Sequence, residues 1–527
     1  MSAGGSHEEV DAPAHGVIRT RRDSMKRMRF VFLLLVVVAL VATACTSDSD
    51  DTTTTAAGGD ETTTTAAGGD ETTTTAAGGD ETTTTAAPAG GGDGVTIKFW
   101  STETQPARIE KTQAIIDRFT AASGINVSFT ATDEDALGQL MLTNAASGTL
   151  PDVVFHPIER TIGWASAGLL NIDAANEVVN NLGADTFSQG SRDLATIDGK
   201  VAAVPTDGWG QLLIYRKDLF DAAGLEKPDT FDKIEAAAAA LNDPGNNFYG
   251  ITASNDPSAG FTQQTFEHFA LANGCELVDD AGTVTLNSAN CVEAIDFYTS
   301  LLNTYSPAGL QDVVSTRATY FAGQASMIVW SPFIMDEMAG LRDAALPTCP
   351  ECTDDIAFLA KNSDFVPSFS GPSGSPAQYG AVSYMGIGMT ENTEAAQAFV
   401  EFWLSDGYVD WLSVAPEGKF PMRQGTADNP TEYIDAWRQL PSGVDRQAPL
   451  SDYYSEEVIS GLIAGSNDFA RWGFAQGQGE LVTAVFGTLV VPQVLDEVFS
   501  GGLSAEDGAA EMAAIVEEEQ ALLADEG

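Results

Sequence analysis

The chain has 527 residues, with 75 Asp and Glu against 25 Lys and Arg and a net charge of −50. A surface this acidic repels nucleic acid and anionic lipid headgroups, and no basic patch follows Arg29, so nucleic-acid binding is excluded; the acidity reads as bulk solubility and weighs against a polyanionic ligand. The roughly 430 residues from Val95 onward exceed what a single hydrophobic core supports and imply two.

The N-terminus carries Arg19, Arg21, Arg22, Lys26, Arg27 and Arg29, then an unbroken apolar run from Phe30 to Ala42. That run falls short of the roughly 20 residues of a membrane-spanning helix but suits the core of a secretory signal. Ala42-Thr43-Ala44-Cys45 follows and the chain turns polar. These residues resemble the lipobox of bacterial lipoproteins, although Ala42 stands where Leu or Val is usual; the resemblance implies a signal peptide over 1–44 and a diacylglyceryl-modified Cys45 at the mature N-terminus. Met25-Lys26-Arg27-Met28-Arg29 offers a second translation start. Thr20-Arg21-Arg22-Asp23-Ser24-Met25-Lys26 faintly resembles a twin-arginine export motif that lacks its aromatic residue.

Over 51–87, Thr-Thr-Thr-Thr-Ala-Ala recurs four times at ten-residue spacing, with no apolar side chain larger than Ala. Nothing there offsets the entropy of ordering, so 45–94 is read as a disordered, lipid-anchored linker. About 50 such residues span roughly 40 Å root-mean-square, and threonine runs of this kind also occur as O-glycosylated stalks. Four cysteines remain beyond Cys45. Cys275 and Cys291 flank two short predicted strands around Asp280-Ala281-Gly282, where a disulfide would close a loop worth roughly 3 kcal/mol. Cys349-Pro350-Glu351-Cys352 is read as a second structural disulfide, because no second pair or nearby His completes a zinc site.

In the folded region, Val95–Trp100 is a predicted strand. Ile109, Ala114, Ile115, Ile116 and Phe119 recur at helical spacing up to Gly124. Asn126–Thr130 resumes a strand, Ala136, Leu140 and Leu142 mark a helix, and Pro151–Phe155 is a third strand. This β-α-β-α-β order predicts an α/β fold with a parallel sheet, whose ligands gather at the carboxyl ends of strands. Here those ends are Trp100-Ser101 and Phe155-His156.

Next come Asp198-Gly199-Lys200-Val201-Ala202-Ala203-Val204-Pro205, then Gln211-Leu212-Leu213-Ile214-Tyr215-Arg216-Lys217-Asp218-Leu219-Phe220, then Ala223-Gly224-Leu225-Glu226-Lys227-Pro228-Asp229-Thr230-Phe231. With Gly148–Val153, Ala167–Leu170, Asn273-Gly274 and Phe321–Met327, they form an ordered series over about 95–420. The series resembles the extracellular solute-binding proteins of carbohydrate ABC importers, the maltose-binding-protein-like family. The match is vaguer beyond Gln424. The resemblance implies a two-lobed periplasmic-binding-protein-like fold with hinge strands and an interlobe ligand cleft. By analogy the chain crosses near Pro205, near Phe358-Leu359-Ala360 and near Pro421-Met422-Arg423. Lobe 1 is then 95–205 with 361–420, and lobe 2 is 206–360 with 421–527.

A sugar presents C–H faces to aromatic rings and hydroxyls to carboxylates, amides and Arg. Trp100 ends the first strand, with packing on the following helix as its alternative role. In maltose-binding relatives a Trp-x-x-Asp-Arg segment holds sugar hydroxyls; here His156-Pro157-Ile158-Glu159-Arg160 keeps the charged pair and replaces the aromatic. Asp207 and Trp209, on a glycine-flanked turn, are the leading candidates. Gln263 and Gln264 fall where relatives place Glu and an aromatic. Trp330 follows the Met327 strand, Tyr379 and Tyr384 lie in a Gly/Ser-rich stretch read as a cleft loop from Ser368, and Arg471-Trp472-Gly473 lies beyond the strong match, with Trp472 the candidate there. Only His156 and His268 occur in the folded region, without metal-ligand spacing, and no P-loop, dinucleotide loop or G-x-S-x-G elbow is present.

The reading is a lipid-anchored extracytoplasmic receptor, monomeric and without cofactor or catalysis. It closes on a sugar or oligosaccharide and passes it to the permease subunits of an ABC importer. The alternatives are the same fold for glycerol phosphate, an amino acid or iron, and an exported glycan-acting enzyme.

Overall fold

The computed structural model describes residues 94–526; the signal peptide, Cys45 and nearly all of the linker lie outside them. Strand β1 (Thr96–Ser101) alternates its faces, burying Ile97 and Phe99 while Thr96 and Lys98 stay exposed. The Phe99 ring lies 5.6 Å from Phe129, 5.2 Å from Phe399 and 5.3 Å from Trp403, which makes it a centre of the first core. The helix Pro106–Ser123 starts on proline and stops at Gly124, whose φ of 75° lets its N–H reach back to Thr120. Strand β2 (Asn126–Ala131), the helix Glu134–Ser147 and β3 (Val153–Pro157) follow, and β2 and β3 both pair in parallel with β1, as the periodicity predicts.

Seven further strands position the site: β4 (Val204–Gly210), β5 (Leu212–Arg216), β6 (Met327–Trp330), β7 (Ser363–Val366), β8 (Gln378–Ile387), β9 (Phe420–Pro421) and β10 (Phe469–Ala470). The larger sheet runs β9-β4-β8-β3-β1-β2, with β10 pairing beside β8; the smaller runs β6-β5-β7. Each sheet is the floor of one lobe, and both belong to one compact unit.

The crossings between sheets differ from the expected ones. Pro205 is inside β4, opposite Tyr384 at a register irregularity, where a residue without an N–H is tolerated. The first step to the smaller sheet therefore comes at Gln211, between β4 and β5. Residues 206–210 belong to the larger sheet. Phe358–Asn362 is a short helix leading into β7, so 363–366 belong to the smaller sheet and the return runs through 367–377. Pro421 is still paired with Asp207 in the larger sheet, and the chain reaches the second lobe at Gly443–Arg446, which packs on Leu341.

Of the stretch read as a cleft loop, Tyr379 and Tyr384 lie in strand β8, and only the part up to 377 is this return connector. It lies on the end of the helix Gly260–Ala272, with Gly371 N–H donating to Ala272 O at 2.8 Å and Ser373 N–H to Asn273 Oδ1 at 3.1 Å. Both expected disulfides, Cys275–Cys291 and Cys349–Cys352, are formed. The predicted hairpin over 276–286 reduces to one bridge, Val278 to Val284, because the Asp279 carboxylate takes the N–H groups of Ala281 and Thr283 and closes a turn instead.

His268, on the Gly260–Ala272 helix, stacks on Phe369 of the connector at 4.4 Å, and neither ring nitrogen has a hydrogen-bond partner. Burial lowers its pKa from 6.5 to about 3. A histidine depressed in the fold contributes stability that is complete above pH 6.5 and is lost as pH falls toward the folded value. At pH 5 the loss is about 2 kcal/mol. Asp336 and Glu276, both raised by burial to about 7, act in the opposite sense. His268→Phe is therefore expected to shrink the drop in melting temperature between pH 7.5 and pH 5 relative to the parent protein; an equal drop in both would contradict this account.

Candidate functional site at the junction of the two sheets

The C-terminal end of β4 and the N-terminal end of β8 meet where the lobes join. Gly210 pairs with Gly380 there, and both lie against Phe469 of β10; a Cβ on Gly380 would stand 2.3 Å from that ring. The bare backbone thus lets β10 approach and delivers Arg471 to the junction. Arg471 is fully buried. Its Nε donates to Glu267 Oε1 at 3.0 Å and its Nη1 to Glu159 Oε1 at 2.9 Å. The guanidinium also lies 4.3 Å from the Tyr379 ring centre and 5.3 Å from that of Phe474. Gln264 lies beside the Tyr379 hydroxyl, and the Tyr379 ring is 6.1 Å from Trp209, which meets Phe333 of the second lobe edge-on at 6.2 Å.

Burial pushes the Glu267 carboxyl up, while Arg471 and the Trp472 N–H pull it down. Burial also raises the Tyr379 hydroxyl. Arg471 Nη2, Glu267 Oε2 and Gln263 Oε1 are buried without a hydrogen-bond partner. The junction therefore combines aromatic faces, amides and an incompletely satisfied charged centre.

Of the residues the sequence singles out, Glu159, Trp209, Gln264 and Tyr379 converge here. Trp100 is half-buried at the end of β1, beside Val154 and Thr130. Arg160 is half-buried and turns toward Gly138 of the Glu134–Ser147 helix. Trp330 is buried against Phe261 at 4.8 Å. His156 is buried between Trp164 and Tyr384, with burial lowering its pKa to about 4. Trp472 is a core residue of the second lobe: its ring meets Phe266 and its Nε1–H donates to Cys275 O. Sequence reasoning bypassed Glu267 and Phe333, whose partners lie far along the chain, and chose Trp472 over its neighbour Arg471.

Asp207 also departs from expectation. It is buried, with Oδ2 3.1 Å from Lys419 Nζ and Oδ1 accepting from Trp411 Nε1. Lys419 also pairs with Glu103 at 2.8 Å and lies 4.1 Å from the Trp411 ring centre. Burial alone would lower the Lys419 pKa, but Asp207 and Glu103 hold it above its ordinary value. Burial alone would raise Glu103, but Lys419 and Arg108 hold it down at about 2. Asp207 thus fastens β4 to 416–420 within the first lobe. Lys419→Met would leave two buried carboxylates facing each other and is expected to cost about 3–5 kcal/mol of stability in urea unfolding; a loss under about 1 kcal/mol would show the network to be solvated.

A recess of about 210 Å³ in the second lobe, lined by Asp232, Glu235, Glu293, Asp296 and the stacked rings of Phe231 and Phe297, shares no residue with the junction. Among the described residues no group of three or more His, Cys, Asp or Glu is arranged to hold a metal.

The profile of the family described as bacterial extracellular solute-binding protein matches residues 105–410. A second profile, the New glue protein family, matches 25–118, which includes the threonine-rich repeat. The chain is 27% identical over 407 residues to YcjN of Escherichia coli (strain K12), provisionally named an ABC transporter periplasmic-binding protein; the match covers 75% of this chain and 88% of YcjN. It is 29% identical over 188 residues to a mannitol-binding protein of Pseudomonas aeruginosa, covering 35% and 43% of the two chains. Among solved structures it resembles the cyclic alpha-maltosyl-1,6-maltose binding protein of Arthrobacter globiformis, with TM-score 0.61, 17% identity and coverage of 81% and 98%. It likewise resembles an ABC transporter solute-binding protein of Agrobacterium vitis S4 with bound D-mannitol, with TM-score 0.53, 18% identity and coverage of 81% and 99%. At these identities the structural likeness establishes the two-lobed fold.

Proposed function

The chain belongs to the bacterial extracellular solute-binding protein family, and from that premise we propose that it is a receptor for a sugar, oligosaccharide or sugar alcohol. The receptor closes its lobes on the solute and hands it to an ABC importer whose permease and ATPase are separate chains. Binding, without catalysis, is its whole chemistry.

The observation that carries this reading is the junction cluster. Trp209 and Tyr379 offer ring faces for C–H surfaces, while Gln264, Glu159 and the unpartnered atoms of Arg471 and Gln263 offer hydroxyl partners. Proteins similar to this chain are named for mannitol, maltodextrin and cyclic maltosyl-maltose, which supports a polyhydroxylated ligand. One arginine facing two carboxylates disfavours a phosphate ester, and among the described residues no group of three or more His, Cys, Asp or Glu is arranged to hold a metal, which disfavours iron.

Thermal-shift measurements against sugars and sugar alcohols, with glycerol phosphate, amino acids and ferric ion as comparators, are expected to give a saturable rise with a polyol. The gain is roughly 2.7 kcal/mol at 100 times the dissociation constant. Trp209→Ala should weaken that affinity about tenfold or more. A rise with a comparator alone would change the solute class, and unchanged affinity in the variant would move the site.

Cys45 carries the lipid that holds the receptor at the outer face of the membrane, and 45–94 is its leash. Cys45→Ala is expected to release the protein into the medium; retention in the membrane fraction would refute the anchor.

A further inference from the structure

Arg471 occupies an unusual place in the chain. The residues before it, β10, pair with β8 in the larger sheet, whereas the residue after it, Trp472, is buried in the second lobe. Its side chain is held on the second-lobe side by Glu267 Oε1, which accepts from Arg471 Nε and is itself fixed by the Trp472 backbone N–H. The remaining contact, Nη1 to Glu159, reaches the first turn of the Ile158–Ser166 helix in the first lobe. Glu159 is itself 23% exposed, while Arg471 and Glu267 are sealed from solvent.

We propose that the Glu159–Arg471 pair is an interlobe strap: it forms when the lobes close, parts when they open, and sets the closed fraction before any solute arrives. The asymmetry of burial decides which bond parts. Separating Arg471 from Glu267 would strand two buried charges, whereas Glu159 exchanges the guanidinium for water at far lower cost. A second contact of the same helix reinforces the strap, since Thr483 Oγ1 donates to the Glu159 carbonyl at 3.0 Å and the helix Gly479–Thr488 packs on Ile158–Ser166. The strap also places the Arg471 guanidinium over the Tyr379 ring, 4.3 Å from its centre, so closure fixes the aromatic wall of the proposed solute site. Arg471 is here a positioning residue. The inference rests on the receptor reading for its purpose, but its test does not.

Spin labels at Leu142→Cys and Val314→Cys, exposed by 57% and 60% on helices of the two lobes, report the interlobe distance in a Cys45→Ser background of the full chain. Without solute, Glu159→Gln is expected to shift the distance distribution toward longer values, with the melting temperature nearly unchanged. Glu159→Asp, which keeps the charge, should restore part of the short-distance population. Where a solute has been identified, Glu159→Gln should weaken its binding in proportion to the lost closed fraction. An unchanged ligand-free distribution in Glu159→Gln overturns the strap, whatever happens to affinity. A failed search for a solute would instead count against the proposed function and leave the distance result standing.

Discussion

The antiparallel pairing of β4 with β8 is the constraint on which the rest depends. Both strands belong to the larger sheet, and both run straight into the segments that lead to the smaller one. The pairing is tied off by hydrogen bonds, Gln211 N–H to Tyr379 O at 2.9 Å and Gln378 Nε2 to Gln211 O at 3.0 Å. Gln211 also reaches Thr265 of the second lobe at 3.0 Å. Two of the passages between lobes therefore emerge side by side, and relative motion of the lobes must pivot on this knot of backbone and amide. The same pairing presents Trp209 and Tyr379 together, so the hinge and the candidate site are one piece of architecture.

A chain with a net charge of −50 has few cations to distribute, and the fold spends several of them inside. Lys419 binds together β4, the loop after β1 and the segment before β9. Arg471 binds the two lobes. Arg342 and Arg317 face Asp336, Glu337 and Glu417 in a third cluster. Lys419 and Arg471 are buried and each meets two carboxylates, while Arg342, 31% exposed, meets three; the pairing offsets desolvation and leaves the buried carboxylates dependent on these cations. Surface acidity and internal basicity are complementary: the exterior stays soluble through repulsion, and the cations hold together elements distant in sequence.

What was legible in the sequence was local. Alternation in Thr96–Ser101, the period of Ile115, Ile116 and Phe119, and the stop at Gly124 are each set by neighbouring residues, and the first three strands follow from them. The disulfides were legible because spacing and compartment bear directly on cysteine chemistry. The crossings were placed by family analogy, and Pro205, where the first was expected, instead sits at a register irregularity within a strand. Asp207 was misread for a different reason. Its partner Lys419 is 212 residues away, and no local pattern reveals that a carboxylate on a glycine-flanked strand is already neutralised. Trp472 shows the same limit, since only tertiary packing distinguishes a tryptophan facing Phe266 from one facing a cleft.

The junction also explains why aromatic residues rather than charges are suited to govern recognition here. Arg471 already faces two carboxylates, and any further ion brought beside it would pay desolvation without a free counter-charge to meet. Trp209, Tyr379 and Phe333 carry no such cost: ring faces gain from covering C–H surface and ask for no proton or ion in return. Phe333 reaches this cluster from the second lobe and Trp209 from the first, so apolar contact between them strengthens as the lobes approach. A solute lying between them would replace ring-to-ring contact with ring-to-sugar contact, and its hydroxyls would meet the few polar atoms that the protein leaves unpaired. Closure then depends on two terms of different character. The proposed strap would act through one charged pair of fixed geometry and the rings through area, which would let a single floor accept related solutes while holding the lobes in one closed register.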